Sequence, residues 1–133
     1  MPKPAYIKSE QGAWAKEGVR AAEVEEFRGL DREVILNIQE ILDAMEYPQL
    51  IAFVYDGTNR VVAPFGVGIS SEGNPLMRGY QLEGISRSGK GEGWRVFQIE
   101  KMEYLENQKD FFDKNDFDFD ESYPWIYKVL KML

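Results

Sequence analysis

The chain has 133 residues, a net charge of −7 and neither histidine nor cysteine. A disulfide frame, thiolate or imidazole catalysis and Cys- or His-ligated metal are therefore excluded, and any chemistry would fall to carboxylates, lysine or tyrosine. Its 44% hydrophobic content is that of a globular chain long enough to bury its own core.

The charge is uneven. Residues 1–49 and 102–133 each carry a net −4, whereas residues 50–101 carry +1 and four of the seven arginines. The acidic total opposes strong binding to duplex DNA, which needs many phosphates neutralised. The middle segment leaves room for a local anion site. No apolar run approaches the roughly 18 residues of a membrane span. The start, Met1-Pro2-Lys3-Pro4-Ala5, has no apolar signal core, so the expected compartment is the cytoplasm.

Residues 1–30 hold helix formers interrupted by Gly18, and Gly29 reads as the end of that piece. Residues 31–46 read as a helix. Asp31 suits the N-cap, and Val34, Ile35, Ile38, Ile41, Leu42 and Met45 recur at helical spacing on one face. Pro48 prevents continuation.

Strand signals follow. Residues 50–55 are a short apolar run, and Asp56-Gly57 marks a hairpin into residues 60–69. A turn over residues 70–75 leads to a strand over 76–85. The loop 86–93 is rich in glycine and leads to a strand over 94–99, with a last short strand possible near 102–105. Short strands on tight loops predict a small antiparallel β-barrel, since closure removes exposed edges. The fold class expected is α+β, in one domain. Its parts are an N-terminal extension (1–30), a helix (31–46), the barrel (50–105), and an acidic connector with a short terminal helix (106–133). That last helix is read over 123–130, with Pro124 in its first turn and Trp125, Ile126, Val129 and Leu130 on its buried face.

Five side chains in the middle segment suggest a site. Arg60, Arg78, Arg87 and Arg95 offer planar forks that match phosphate or carboxylate. Tyr80, with Trp94, offers a ring on which a base stacks. The competing reading pairs the arginines with Glu83, Glu92 or Glu100 on a solvated sheet face. The loop 86–93 lacks P-loop spacing and reads as an ordinary hairpin loop. Asp113, Asn115, Asp116, Asp118 and Asp120 suggest calcium, but an EF-hand begun at Asp116 would place Glu121 where glycine is needed and Tyr127 where glutamate is needed. The segment reads as a solvated connector with phenylalanine anchors. No metal or other cofactor is expected.

The order of several blocks resembles a WYL-type domain. The blocks are Ile41-Leu42-Asp43-Ala44, Phe53-Val54-Tyr55, Arg60-Val61-Val62-Ala63-Pro64, Gly79-Tyr80-Gln81-Leu82 and Arg95-Val96-Phe97, about half the chain. Tyr80-Gln81-Leu82 stands near the place of the family's Trp-Tyr-Leu tripeptide. Members usually carry a helix-turn-helix before the domain, for which residues 1–49 are too short and too acidic. The resemblance implies an Sm-like or SH3-like barrel that senses a ligand, often a nucleotide or nucleic acid, without catalysis. Arg60 and Arg95 are the arginines that fall in matching blocks.

The expected function is therefore non-enzymatic, regulatory binding of an anionic ligand, either a nucleotide or a short single-stranded nucleic acid. The alternative is a module that recruits a protein partner or a second copy through acidic flanks and exposed aromatics. Neither reading involves a membrane or strong duplex DNA binding.

Overall fold

The computed structural model of the chain describes residues 20–84, 91–118 and 128–133. Two short 3-10 turns, Ala21–Glu23 and Glu25–Phe27, come first. Their buried residues Ala21, Val24 and Phe27 recur every third position, the period of a 3-10 helix. Gln39 Oε1 accepts from the Ala21 N–H at 2.7 Å and ties this segment to the helix. Gly29, at φ +93, ends it as expected.

Helix α1 spans Arg32–Glu46. It buries Ile38, Ile41, Leu42 and Met45 of the predicted stripe together with Ala44, while Val34 and Ile35 are half-buried. Asp31 occupies the N-cap, but its side chain makes no capping hydrogen bond. The start is held by the backbone bond from Ile35 N to Asp31 O at 3.0 Å. Among the described residues no helix is long and apolar enough to cross a membrane.

Among the described residues six strands form one antiparallel sheet: β1 (Gln49–Tyr55), β2 (Thr58–Ile69), β3 (Pro75–Glu83), β4 (Gly93–Gln98), β5 (Glu103–Phe111) and β6 (Lys128–Met132). The path is β4-β3-β2-β1-β5, with β6 also on β2. Asp56 (φ 52) and Gly57 (φ 78) both take left-handed conformations, so the expected hairpin turns on these two residues and β2 begins at Thr58, ahead of the expected residue 60. β2 is shared lengthwise. Thr58–Val62 pair with β1 and Gly66–Ile69 with β6, while β3 runs beside both halves. Pro64 lies between the two partners, where its missing N–H breaks neither ladder. At Gly79 an added Cβ would stand 2.5 Å from Val62 Cγ1 and 2.7 Å from Ala63 O, so β3 lies on β2 as only glycine allows.

The expected barrel does not close. Among the described residues β4 pairs only with β3 and β5 only with β1. A 3-10 turn, Ile99–Lys101, carries the chain from one edge strand to the other. Helix α1 packs against β1, β2, β5 and that turn. Its apolar stripe fills the interior that a closed barrel would fill from its own strands. β5 is also irregular, with register shifts against β1 and left-handed Tyr104 (φ 55) and Lys109 (φ 62). Such bulges bend an edge strand and discourage further pairing.

The C-terminal part corrects two further expectations. β5 continues to Phe111, so much of the expected connector is strand. Residues 128–132 form β6 rather than the end of a helix. The open half of β2 offers backbone partners there, and this tertiary pairing overrides local helix preference. The rest of the expected helix, including Trp125 and Ile126, lies outside the described residues.

The core lies between α1 and the inner face of the sheet. Phe53, Tyr55 and Phe97 meet edge to face, with Phe97 centred 5.0 Å from each of the other two. Ile51, Val62, Met77, Ile99 and Leu130 are fully buried around them. Two lysines of β6 hold the layers together. Lys131 Nζ lies 3.3 Å from Glu46 Oε1 at the end of α1, and Lys128 pairs with Glu26.

The Lys128 hydrogen bond, outweighing partial burial, holds the Glu26 carboxyl below its ordinary pKa. A depressed carboxyl pKa stabilises the fold above the unfolded value, and this is lost as pH falls through the folded one. Both partners are partly solvated, so the contribution is below about 1 kcal/mol. Glu26→Gln is expected to lower stability by up to that amount at pH 7. In urea melts the difference from wild type should shrink as pH falls below the ordinary glutamate pKa and vanish once the folded-state carboxyl is protonated; a difference that persists after that would contradict the ion pair.

Candidate functional site

Alternation along β3 divides the suggested residues between two faces. Met77, Gly79 and Gln81 face inward, while Arg78 and Tyr80 face outward. The register carries this to β4, where Arg95 lies opposite Gly79, Val96 opposite Arg78 and Trp94 opposite Tyr80. On β2, Arg60 lies opposite Phe53 and so points inward. The single convergence of arginines expected from sequence is therefore split. Arg60 and Arg95 share the inner side, and Arg78 and Tyr80 the outer. Arg87 lies outside the described residues.

The inner arginines belong to one chain of hydrogen bonds. Arg60 is 3% exposed. Its Nε donates to Thr58 Oγ1 at 2.7 Å, its Nη2 to the Tyr55 carbonyl at 3.1 Å and its Nη1 to Gln81 Oε1 at 3.0 Å. Its Cζ also lies 5.6 Å from the Tyr55 ring centre. Gln81, fully buried, passes the link on through Nε2 to the Gly91 carbonyl at 2.8 Å. The same carbonyl accepts from Arg95 Nη2 at 2.5 Å, and Arg95 Nη1 donates to the Trp94 carbonyl at 2.9 Å. The acceptors in this chain are all uncharged. Neither arginine forms an ion pair among the described residues, so the expected pairing with Glu83, Glu92 or Glu100 is not how Arg60 and Arg95 are satisfied.

Two positive groups thus sit within each other's field. Burial lowers the Arg60 pKa most, Asp56 opposes that shift, and the like charge of Arg95 adds to it. Among the described residues Arg95 Nε is buried without a hydrogen-bond partner. A buried guanidinium N–H left without an acceptor costs stability.

The outer face carries an aromatic cluster. Phe65, Tyr80 and Trp94 come from β2, β3 and β4, and Phe112 and Phe117 from the segment after β5. Ring centres are 4.9 Å apart for Phe65 and Trp94, and 5.3 Å for Tyr80 and Trp94. Arg78, 4% exposed, places its Cζ 5.0 Å from the Trp94 ring centre. The Tyr80 hydroxyl donates to Glu92 Oε2 at 3.1 Å. Burial first, and then the Glu92 carboxylate, raise the Tyr80 pKa, so this hydroxyl stays protonated at neutral pH.

A cleft of about 280 Å³ against β3 and β4 is lined by Arg78, Trp94, Arg95 and Val96. It brings one outer and one inner arginine to a single concavity beside an indole. A larger hollow, about 360 Å³, lies among the 3-10 turns and the start of α1. Its lining includes Val24, Phe27, Leu30 and Ile35 with Arg28 and Arg32, and none of the five suggested residues.

Sequence reasoning did not single out Gln81 or Phe117. Gln81 carried a faint signal, an amide at an inward position of an alternating strand. Phe117 was legible only as one of the connector's phenylalanine anchors; that it meets Tyr80 and Trp94 is decided by the fold. Compared with family models, with curated proteins and with solved structures, the chain has no match.

The polar chain has a measurable consequence. Gln81→Leu keeps the volume but leaves buried Arg60 Nη1 without its acceptor. A stability loss of about 1–3 kcal/mol is expected in denaturant melts. A loss below about 0.5 kcal/mol would mean that Gln81 merely fills space.

Proposed function

We propose that this chain is a non-catalytic binding module for an anionic ligand of the nucleotide or short single-stranded nucleic acid class. The observation that carries the reading is the cleft against β3 and β4, where Arg78, Arg95 and Trp94 face one space. Guanidinium forks suit phosphate oxygens, and an indole beside them suits a base. Among the described residues Arg95 has an unsatisfied N–H. Arg60 acts in this reading as a positioning residue, through Gln81 and the Gly91 carbonyl that Arg95 also holds. Tyr80 supports the Trp94 ring from the same face.

The strand path β4-β3-β2-β1-β5, with a 3-10 turn between β4 and β5, supports the reading as an opened Sm-like or SH3-like barrel of WYL type. The lack of histidine and cysteine favours binding over catalysis. The second reading, a protein-partner module, is favoured by the strongly exposed Tyr47, Tyr104 and Phe111.

Titration with mononucleotides, dinucleotides and short single strands tests the choice. Saturable binding is expected, weakening gently with salt because few phosphates are engaged. Arg95→Ala should weaken it about 10- to 100-fold, the worth of a charge-assisted hydrogen bond. Long duplex DNA should give no gel shift. No saturable binding by any of these ligands would sink the reading and leave the protein-partner one.

A further inference from the structure

The aromatic cluster holds a ring that does not belong to the sheet. Phe117 lies 5.1 Å from Tyr80, 5.5 Å from Phe65, 5.7 Å from Phe112 and 6.5 Å from Trp94, centre to centre. Its contacts are edge-on or tilted, and none is a parallel stack. Residues 113–116 are exposed. The backbone bonds of their 3-10 turn, from Asp116 N to Asp113 O and from Phe117 N to Lys114 O, are local. A hydrogen bond to the sheet runs from Trp94 Nε1 to the Asp118 carbonyl at 3.2 Å. Among the described residues Phe117 is thus seated by its ring and by this neighbouring hydrogen bond.

Trp94 connects this ring to the anion cleft, since the same indole lines the cleft and contacts Phe117. The segment also carries Asp113, Asp116 and Asp118 around its aromatic residue. A ring flanked by negative charge has the chemical outline of a nucleotide. On the binding reading above, we infer that Phe117 is an internal stand-in for a nucleobase. The slot among Phe65, Tyr80 and Trp94 takes the base when Phe117 withdraws, while the phosphate engages Arg78 and Arg95. Every base has a π-face, so the slot tolerates sequence and selects for a base beside a phosphate. Seating Phe117 lowers the apparent affinity by the fraction of molecules in which the slot is open.

Phe117→Leu tests this, because it removes the ring and leaves a smaller side chain that makes no ring pair with the cluster. The ring pairs that close the slot are lost in this variant, so Phe117→Leu should bind a mononucleotide or dinucleotide at least about tenfold tighter than wild type. Phe117→Tyr, which restores a ring, should return to the wild-type affinity. Inorganic phosphate should bind both proteins equally, because it needs no slot. A melt of each variant confirms that the fold is kept. Equal or weaker nucleotide binding by a folded Phe117→Leu, with wild type still binding saturably, overturns the inference and leaves the anion site standing. A tenfold gain that appears with inorganic phosphate as well also overturns it, since the segment would then block charge rather than a base. If neither protein binds nucleotide, the anion site itself is wrong and the inference falls with it.

Discussion

The sharing of β2 among three neighbours is the constraint from which the rest of the architecture follows. A 12-residue strand presents more backbone than seven-residue β1 can pair, and the surplus lies beyond Pro64. That surplus recruits β6, which brings Leu130 into the core and Lys131 to the end of α1. The other side of β2 is covered by β3, whose close approach depends on Gly79. Without this strand the sheet would have no path from β4 to β5, and α1 would have no continuous surface to cover.

The two faces of the sheet spend their residues differently. The inner face buries apolar side chains under α1 and accepts Arg60 only because Thr58, Tyr55 and Gln81 give its N–H groups acceptors. The outer face has no helix over it among the described residues. Rings from β2, β3 and β4 cover it, joined by Phe112 and Phe117 from the segment after β5. β4 ends the sheet, and the proposed anion site lies against it and β3. An edge strand is also where a sheet offers its least occupied backbone. Arg95 meets part of that need by capping the carbonyls of Gly91 and Trp94.

Much of the secondary structure was legible because it is decided locally. The apolar period of Val34 to Met45 specifies α1, and Asp56-Gly57 specifies the first hairpin through backbone conformations that few residues adopt. The turn at Ser70 was legible too. Its hydroxyl accepts from the N–H of Glu72 and of Asn74, and Gly73 takes φ +87. The paired 3-10 turns at the start were readable in principle from the spacing of Ala21, Val24 and Phe27, but a period of three over seven residues is easily taken for a broken helix. Closure of the barrel and the identity of β6 were not legible. Both depend on which backbone groups remain unpaired after the other strands have docked.

For the site, the sequence by itself determined the residue types: arginines and rings in the middle segment, with no imidazole or thiol to do chemistry. The alternation that gives each strand two faces was also present. The tertiary structure alone decided that the β3–β4 register sets Arg78 and Arg95 on different faces, that both line one cleft, that Arg60 is buried behind Gln81, and that Phe117 sits against Trp94. The physical reason is distance along the chain. Side chains two or four residues apart are related by the local period, whereas residues 60 and 81, or 94 and 117, are related only by strand register and by the path of the segment that crosses the sheet.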